Sequence, residues 1–101
     1  MILIFTTFHK KKDAVKIGRG LLKTRLIACY NLFPVESAYW WKGKILDDSE
    51  TLMILKTKPA NFKKIEAYIK KHTDYEIPEV ISIKSHSINN SYLAWLLKET
   101  K

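Results

Sequence analysis

The sequence predicts an α+β fold, one antiparallel sheet with helices on one face, in the order β-α-β-β-α-β plus a C-terminal helix. Three observations predict it. Runs rich in β-branched and aromatic residues at 2–8, 51–57 and 79–86 read as strands. Apolar residues recur at helical spacing over 11–25 and 60–72. Between the first helix and the 51–57 strand the chain extends and then turns, so the two middle strands pair as a hairpin.

Each element has its own reason. Residues 2–8 (ILIFTTF) are short, β-branched and aromatic, as a buried first strand requires. Ala14, Ile17, Leu21 and Leu22 form the stripe of the 11–25 helix, and Gly18 lies on the same stripe. A glycine there costs about 1 kcal/mol relative to Ala, which suits a close approach of helix to sheet. Residues 26–41 (LIACYNLFPVESAYWW) extend, and Pro34 demands a bend or an edge position. Over 42–50, Lys42-Gly43 has turn chemistry and Asp47-Asp48-Ser49 reads as a second turn. In the 51–57 strand Leu52, Ile54 and Lys56 share one side, and Met53, Leu55 and Thr57 share the other. Both sides are largely apolar, so this strand calls for cover on both faces.

Pro59 sits where the first turn of a helix tolerates it, and Phe62, Ile65, Ile69 and His72 give the stripe of the 60–72 helix. Residues 73–78 are a loop ending at Pro78, residues 79–86 (EVISIKSH) alternate as a last core strand, and Asn89-Asn90-Ser91 caps a helix over 91–99. No linker or repeat divides the chain, so residues 1–101 read as a single domain. The arrangement is ferredoxin-like. Its helices cover one face of the sheet only, and self-association is the economical cover for the other.

Composition narrows the function. The 101 residues carry 18 Lys+Arg against 10 Asp+Glu, a net charge of +8. Only Arg19 and Arg25 are arginine, whereas specific readers of nucleic acid favour the planar Arg fork. The lysines are dispersed along the chain and read as a solvated surface, so no nucleic-acid partner is expected. One Cys forms no intrachain disulfide. No apolar run approaches the ~20 residues of a membrane span, and no basic segment precedes the apolar start as in a signal peptide. A cytoplasmic protein without a membrane partner is expected.

Tyr39-Trp40-Trp41 is the most unusual segment. On a strand Tyr39 and Trp41 share one face and Trp40 points the other way, a loading that suits a subunit contact or ligand lid, with core filling as the plainer role for Trp40. The β-α-β-β-α-β order is shared by RNA-recognition modules, but the 51–57 strand lacks their aromatics. It is shared by copper chaperones too, but the 6–10 loop lacks their Cys pair. No nucleophile elbow, phosphate-cradling glycine loop or zinc-protease motif is present, so no enzyme is expected. Asp47 and Asp48, and Glu76 and Glu79, read as solvated acids; His9 and His86 read as solvent residues; Glu50 and Lys56 share a strand face and read as a salt bridge.

Five segments together resemble the CutA family of divalent-cation tolerance proteins. Leu26-Ile27-Ala28-Cys29-Tyr30-Asn31 is similar to its L-x-A-C-x-N segment. Ser37 to Ile45 and Ser49 to Thr57 resemble its S-x-Y-x-W-x-G-x-I and E-x-x-L-x-x-K-T core. Tyr75-Glu76-Ile77-Pro78-Glu79 resembles Y-x-x-P-E, and Tyr92 to Leu96 resembles Y-x-x-W-L. The family writes H-P-Y where this chain has His72-Thr73-Asp74-Tyr75, and a family Cys late in the first strand falls near Thr6.

The resemblance implies a ferredoxin-like fold and a homotrimer built through strand edges and hairpins, like the trimer of PII-type signalling proteins. It also implies a role in divalent-metal tolerance, with Cu(II) or another divalent cation as ligand and no required cofactor. For metal it points to His72, with Cys29 and Glu79 as neighbours. For small ligands it points to inter-subunit clefts near Cys29, Tyr39, Trp41, Lys56, Tyr75 and Glu79. The alternative is a PII-like binder of small anions or nucleotides that uses Lys42, Lys56 and Lys58.

Overall fold

The computed structural model describes all residues from Met1 to Lys101. Strand β1 (Ile2–Phe8) leads into helix α1 (Lys11–Lys23), followed by β2 (Cys29–Trp41) and β3 (Lys44–Thr57). A 3-10 turn at Pro59–Asn61 opens helix α2 (Phe62–His72), and β4 (Ile81–Lys84) and helix α3 (Asn90–Glu99) complete the chain. The sheet order is β2-β3-β1-β4 and every pairing is antiparallel. Pro34 therefore lies on an edge strand, as its missing N–H requires. No helix is long and apolar enough to cross a membrane.

Alternation along the strands divides the sheet into two faces. Ile2, Ile4, Thr6 and Phe8 of β1 join Met53, Leu55 and Thr57 of β3 on the first face, all buried. Ile17 and Leu21 of α1 and Ile65 and Ile69 of α2 close this core from above. Each such side chain contributes roughly 1.5–3 kcal/mol on leaving water. Two glycines set how closely α1 seats. A Cβ on Gly18 would lie 2.9 Å from the ring of Tyr30 in β2, which is the close helix–sheet approach expected there. A Cβ on Gly20 would run into the hydroxyl of Tyr68, so α1 and α2 touch at this point. The carbonyl of Leu26, buried beneath the helices, accepts from Thr57 Oγ1 at 2.6 Å and Asn61 Nδ2 at 3.1 Å.

Several elements differ from expectation. Helix α1 stops at Lys23 because Arg25 adopts a left-handed φ of 59°, and the amide of Leu26 turns back onto the Leu21 carbonyl. The turn at Lys42-Gly43 is real, with φ of 50° and 80°. Asp47-Asp48-Ser49 is no turn: it lies inside β3, which pairs with β2 in one unbroken register from Cys29↔Lys56 to Trp41↔Lys44. The ladder overrides local turn preference, and Ser49 donates to the carboxylate of Glu36 across the strands.

The last strand is shorter than 79–86, and all four of its residues are exposed, so it is an edge strand outside the core. Its alternation is genuine, but Ile81 and Ile83 face the side of the sheet that no helix in this chain covers there. Helices α1 and α2 share one face as expected. Helix α3 instead packs at the end of the sheet beside the α1 terminus, where Glu99 pairs with Arg25 at 2.8 Å. Its Tyr92 reaches the second face, 5.8 Å from Lys56 Nζ.

Candidate functional site

The second face carries Leu3 and Phe5 of β1, Leu52 and Ile54 of β3, Phe33 of β2, and Ile81 and Ile83 of β4. None of these is buried; Ile81 is 54% exposed and Ile83 49%. Toward the hairpin the same face turns polar. The Lys42-Gly43 turn pairs Tyr39 with Leu46, which places Asp48 and Glu50 on the face of Tyr39. Tyr39 Oη donates to Asp48 Oδ2 at 3.2 Å. The loop after α2 brings Tyr75 onto this patch, and its hydroxyl donates to Glu50. His9, just past β1, packs on the Tyr75 ring with centroids 4.0 Å apart, and its Nδ1 lies 3.6 Å from Asp48 Oδ2. Glu79 is half-buried nearby.

Burial and neighbouring carboxylates set the protonation of these groups. Partial burial pushes the Glu79 carboxyl above its ordinary range, and the neighbouring Glu50 charge adds to the rise. Burial and the Glu50 carboxylate hold the Tyr75 phenol strongly in its neutral, donating form. Desolvation and Asp48 do the same for Tyr39. The patch is a set of oxygen donors with one imidazole at its edge, and phenol hydrogen bonds fix Asp48 and Glu50 within it.

The residues expected from sequence fall in four places. Tyr39, Tyr75 and Glu79 come together in this patch. Cys29 and Lys56 pair in register at the opposite end of the same face, ten residues of strand from Tyr39, or roughly 33 Å. Trp41 is half-buried beside the hairpin turn, and Trp40 is 72% exposed, which excludes core filling within this chain. His72 ends α2 on the helix side, exposed rather than on the buried stripe. Its Nδ1–H donates to the Tyr68 carbonyl at 2.8 Å, a contact typical of a helix C-terminus.

The set of His72, Cys29 and Glu79 is therefore dispersed, and no three His, Cys, Asp or Glu side chains in the chain stand in position to hold a metal ion. Copper does not fit these residues within one chain. The Glu50–Lys56 salt bridge is absent too: six residues of strand set the two roughly 20 Å apart, and Glu50 takes Tyr75 instead. Asp48 and Glu79, expected as solvated acids, are half-buried in the patch, whereas His9 is exposed as expected and packs at its edge. Sequence reasoning passed over His9, Asp48 and Glu50; the period-2 count from the Lys42-Gly43 turn was the signal for the two acids.

Fold and site together define a ferredoxin-like α+β protein whose second sheet face is open, apolar at its centre and rimmed by carboxylates and phenols. The CutA1 divalent ion tolerance protein family model matches residues 2–99. The chain is 43% identical over 101 residues to the divalent-cation tolerance protein CutA of Pyrococcus horikoshii, covering 100% of this chain and 99% of that one. It is 41% identical over 96 residues to the same-named protein of Thermotoga maritima, covering 95% of each. A crystal structure of the Pyrococcus horikoshii CutA1 superposes with a TM-score of 0.96 at 42% identity, covering 100% of this chain and 99% of that one. The CutA of Archaeoglobus fulgidus superposes with a TM-score of 0.97 at 30% identity, covering 100% of each. The chain belongs to the CutA1 family of divalent-cation tolerance proteins.

Proposed function

We infer that this chain is a non-enzymatic, self-assembling response protein for divalent cations. It works as a homotrimer whose ligand clefts form where the second faces of neighbouring copies meet. One observation carries the reading. A sheet face with an exposed apolar centre ends in a preorganised patch of Asp48, Glu50, Glu79, Tyr39 and Tyr75. Exposed apolar strand faces favour burial, and a second copy supplies it without any further element.

The donor chemistry supports a ligand class. Carboxylate and phenol oxygens suit hard divalent cations such as Mn(II), whereas Cu(II) favours nitrogen donors and the thiol of Cys29 that would suit Cu(I) is remote. Within one chain no three acids or imidazoles are placed to hold an ion, so a cation near Glu50 and Glu79 takes its remaining ligands from a neighbouring copy or from water, and it offsets the Glu50 charge that adds to the rise of the Glu79 carboxyl. The single Cys supports a cytoplasmic setting.

Calorimetric titration with Mn(II), Zn(II) and Cu(II) tests the reading. Binding of Mn(II) or Zn(II) that is lost in Glu50→Gln and retained in His72→Ala supports the patch. Loss in His72→Ala alone returns the site to His72. No heat with any of the three ions removes cation binding from the account.

A further inference from the structure

The lysines that look dispersed along the chain are gathered by the fold. Helices α1 and α2 lie side by side over the first sheet face, touching where Gly20 meets Tyr68. The exposed residues of α1 are Lys11, Lys12, Lys16, Arg19 and Lys23, without exception. Those of α2 are Lys63, Lys64, Lys70 and Lys71, with Ala67 and His72. The only acids on the two helices, Asp13 and Glu66, are half-buried, and Glu66 is already shared by Lys63 at 3.7 Å and Lys70 at 3.3 Å. These two helices hold nine cations and two acids, or +7 of the chain's net +8, which leaves +1 for all the rest. Lys12, Lys16, Arg19 and Lys23 follow one another at spacings of four, three and four, so they form one row along α1.

The chemistry of this layer selects a partner. Apart from Ala67 and His72 its exposed side chains are all cationic, so it has no Phe, Tyr or Trp to stack on a base and no large aliphatic side chain to sink into a lipid interface. Lysine acts as a point charge without the fork that reads base edges. What such a row matches is a dense line of phosphates. Each strand of a duplex presents one charge per ~3.4 Å, and α1 is ~20 Å long, so the row runs beside about six phosphates of one strand. We propose that the outer face of α1 and α2 is a docking surface for double-stranded nucleic acid, held through its phosphates without sequence preference.

Fluorescence anisotropy on the full chain, with labelled 30-base-pair DNA duplexes of two unrelated sequences, tests this. Both duplexes should bind equally at 50 mM salt and weaken about a hundredfold or more by 200 mM, as counterion release demands. The variant Lys16→Glu/Arg19→Glu/Lys64→Glu/Lys71→Glu should lose binding by about tenfold or more. The variant Lys44→Glu/Lys84→Glu/Lys98→Glu/Lys101→Glu, with the same change in net charge off the layer, should stay within about threefold. Circular dichroism checks that both fold; if the first does not, glutamine replaces glutamate at the same four positions. Four results overturn the proposal: no wild-type binding at 50 mM salt, equal loss in the two variants, preference for one sequence, or binding to phosphatidylserine vesicles without binding to either duplex.

Discussion

Leu55 and Ile54 are neighbours in the same strand, yet they belong to different regions. Leu55 points into the helix-covered face and is fully buried; Ile54 points to the second face and is only half-covered. The same contrast runs through β1, where Ile4 is buried and Phe5 is not. Both faces are apolar, but one chain has cover for only one. Stability of the fold is thus written on alternate residues, and on the proposed reading assembly is written on those between.

Substitutions that separate the two faces test the contrast most severely. Leu55→Ala should lower unfolding free energy by about 2–5 kcal/mol in denaturant titrations, because the helix face cannot refill the space. Ile54→Glu should leave the helical circular dichroism signal intact and yield a smaller particle in solution. If Ile54→Glu unfolds the chain as severely as Leu55→Ala, the distinction between the faces fails. Gly20→Ala forces its new methyl against the Tyr68 hydroxyl and should cost about 1–3 kcal/mol, with partial recovery when Tyr68→Leu is added.

On the second face the effects are smaller. Tyr75→Phe removes the donor to Glu50 and should cost about 1 kcal/mol. Glu79→Gln acts through pH. The folded Glu79 carboxyl is raised above its ordinary 4.5, so its contribution is fully present below pH 4.5 and is lost as pH rises through the folded value. The glutamine variant escapes that loss. It should melt higher than wild type at pH 7, with the gap closing below pH 4.5; a gap that stays constant with pH contradicts the assigned cause.

Much of the helix-covered face was legible in sequence because its signals are periodic and local. The β1 run, the Ile17–Leu21 stripe, the Pro59 start and the need for a close approach at Gly18 all hold. The second face was legible only in part. Asp47-Asp48-Ser49 has the composition of a turn, and only the long-range ladder with β2 makes it a strand. His9 approaches Asp48 and Tyr75 across distant parts of the chain, which no local pattern encodes. Burial of Glu79 depends likewise on tertiary placement. The Cys29–His72–Glu79 grouping came from motif resemblance, and the fold spreads it over two faces and two ends of the sheet.

In the proposed assembly the second face meets other copies of the chain. Multi-angle light scattering on the eluting peak of wild-type protein measures it directly. One species of about 35 kDa is expected, three times the 11.8 kDa chain. A stable species of 11.8 kDa across the concentration range would contradict it.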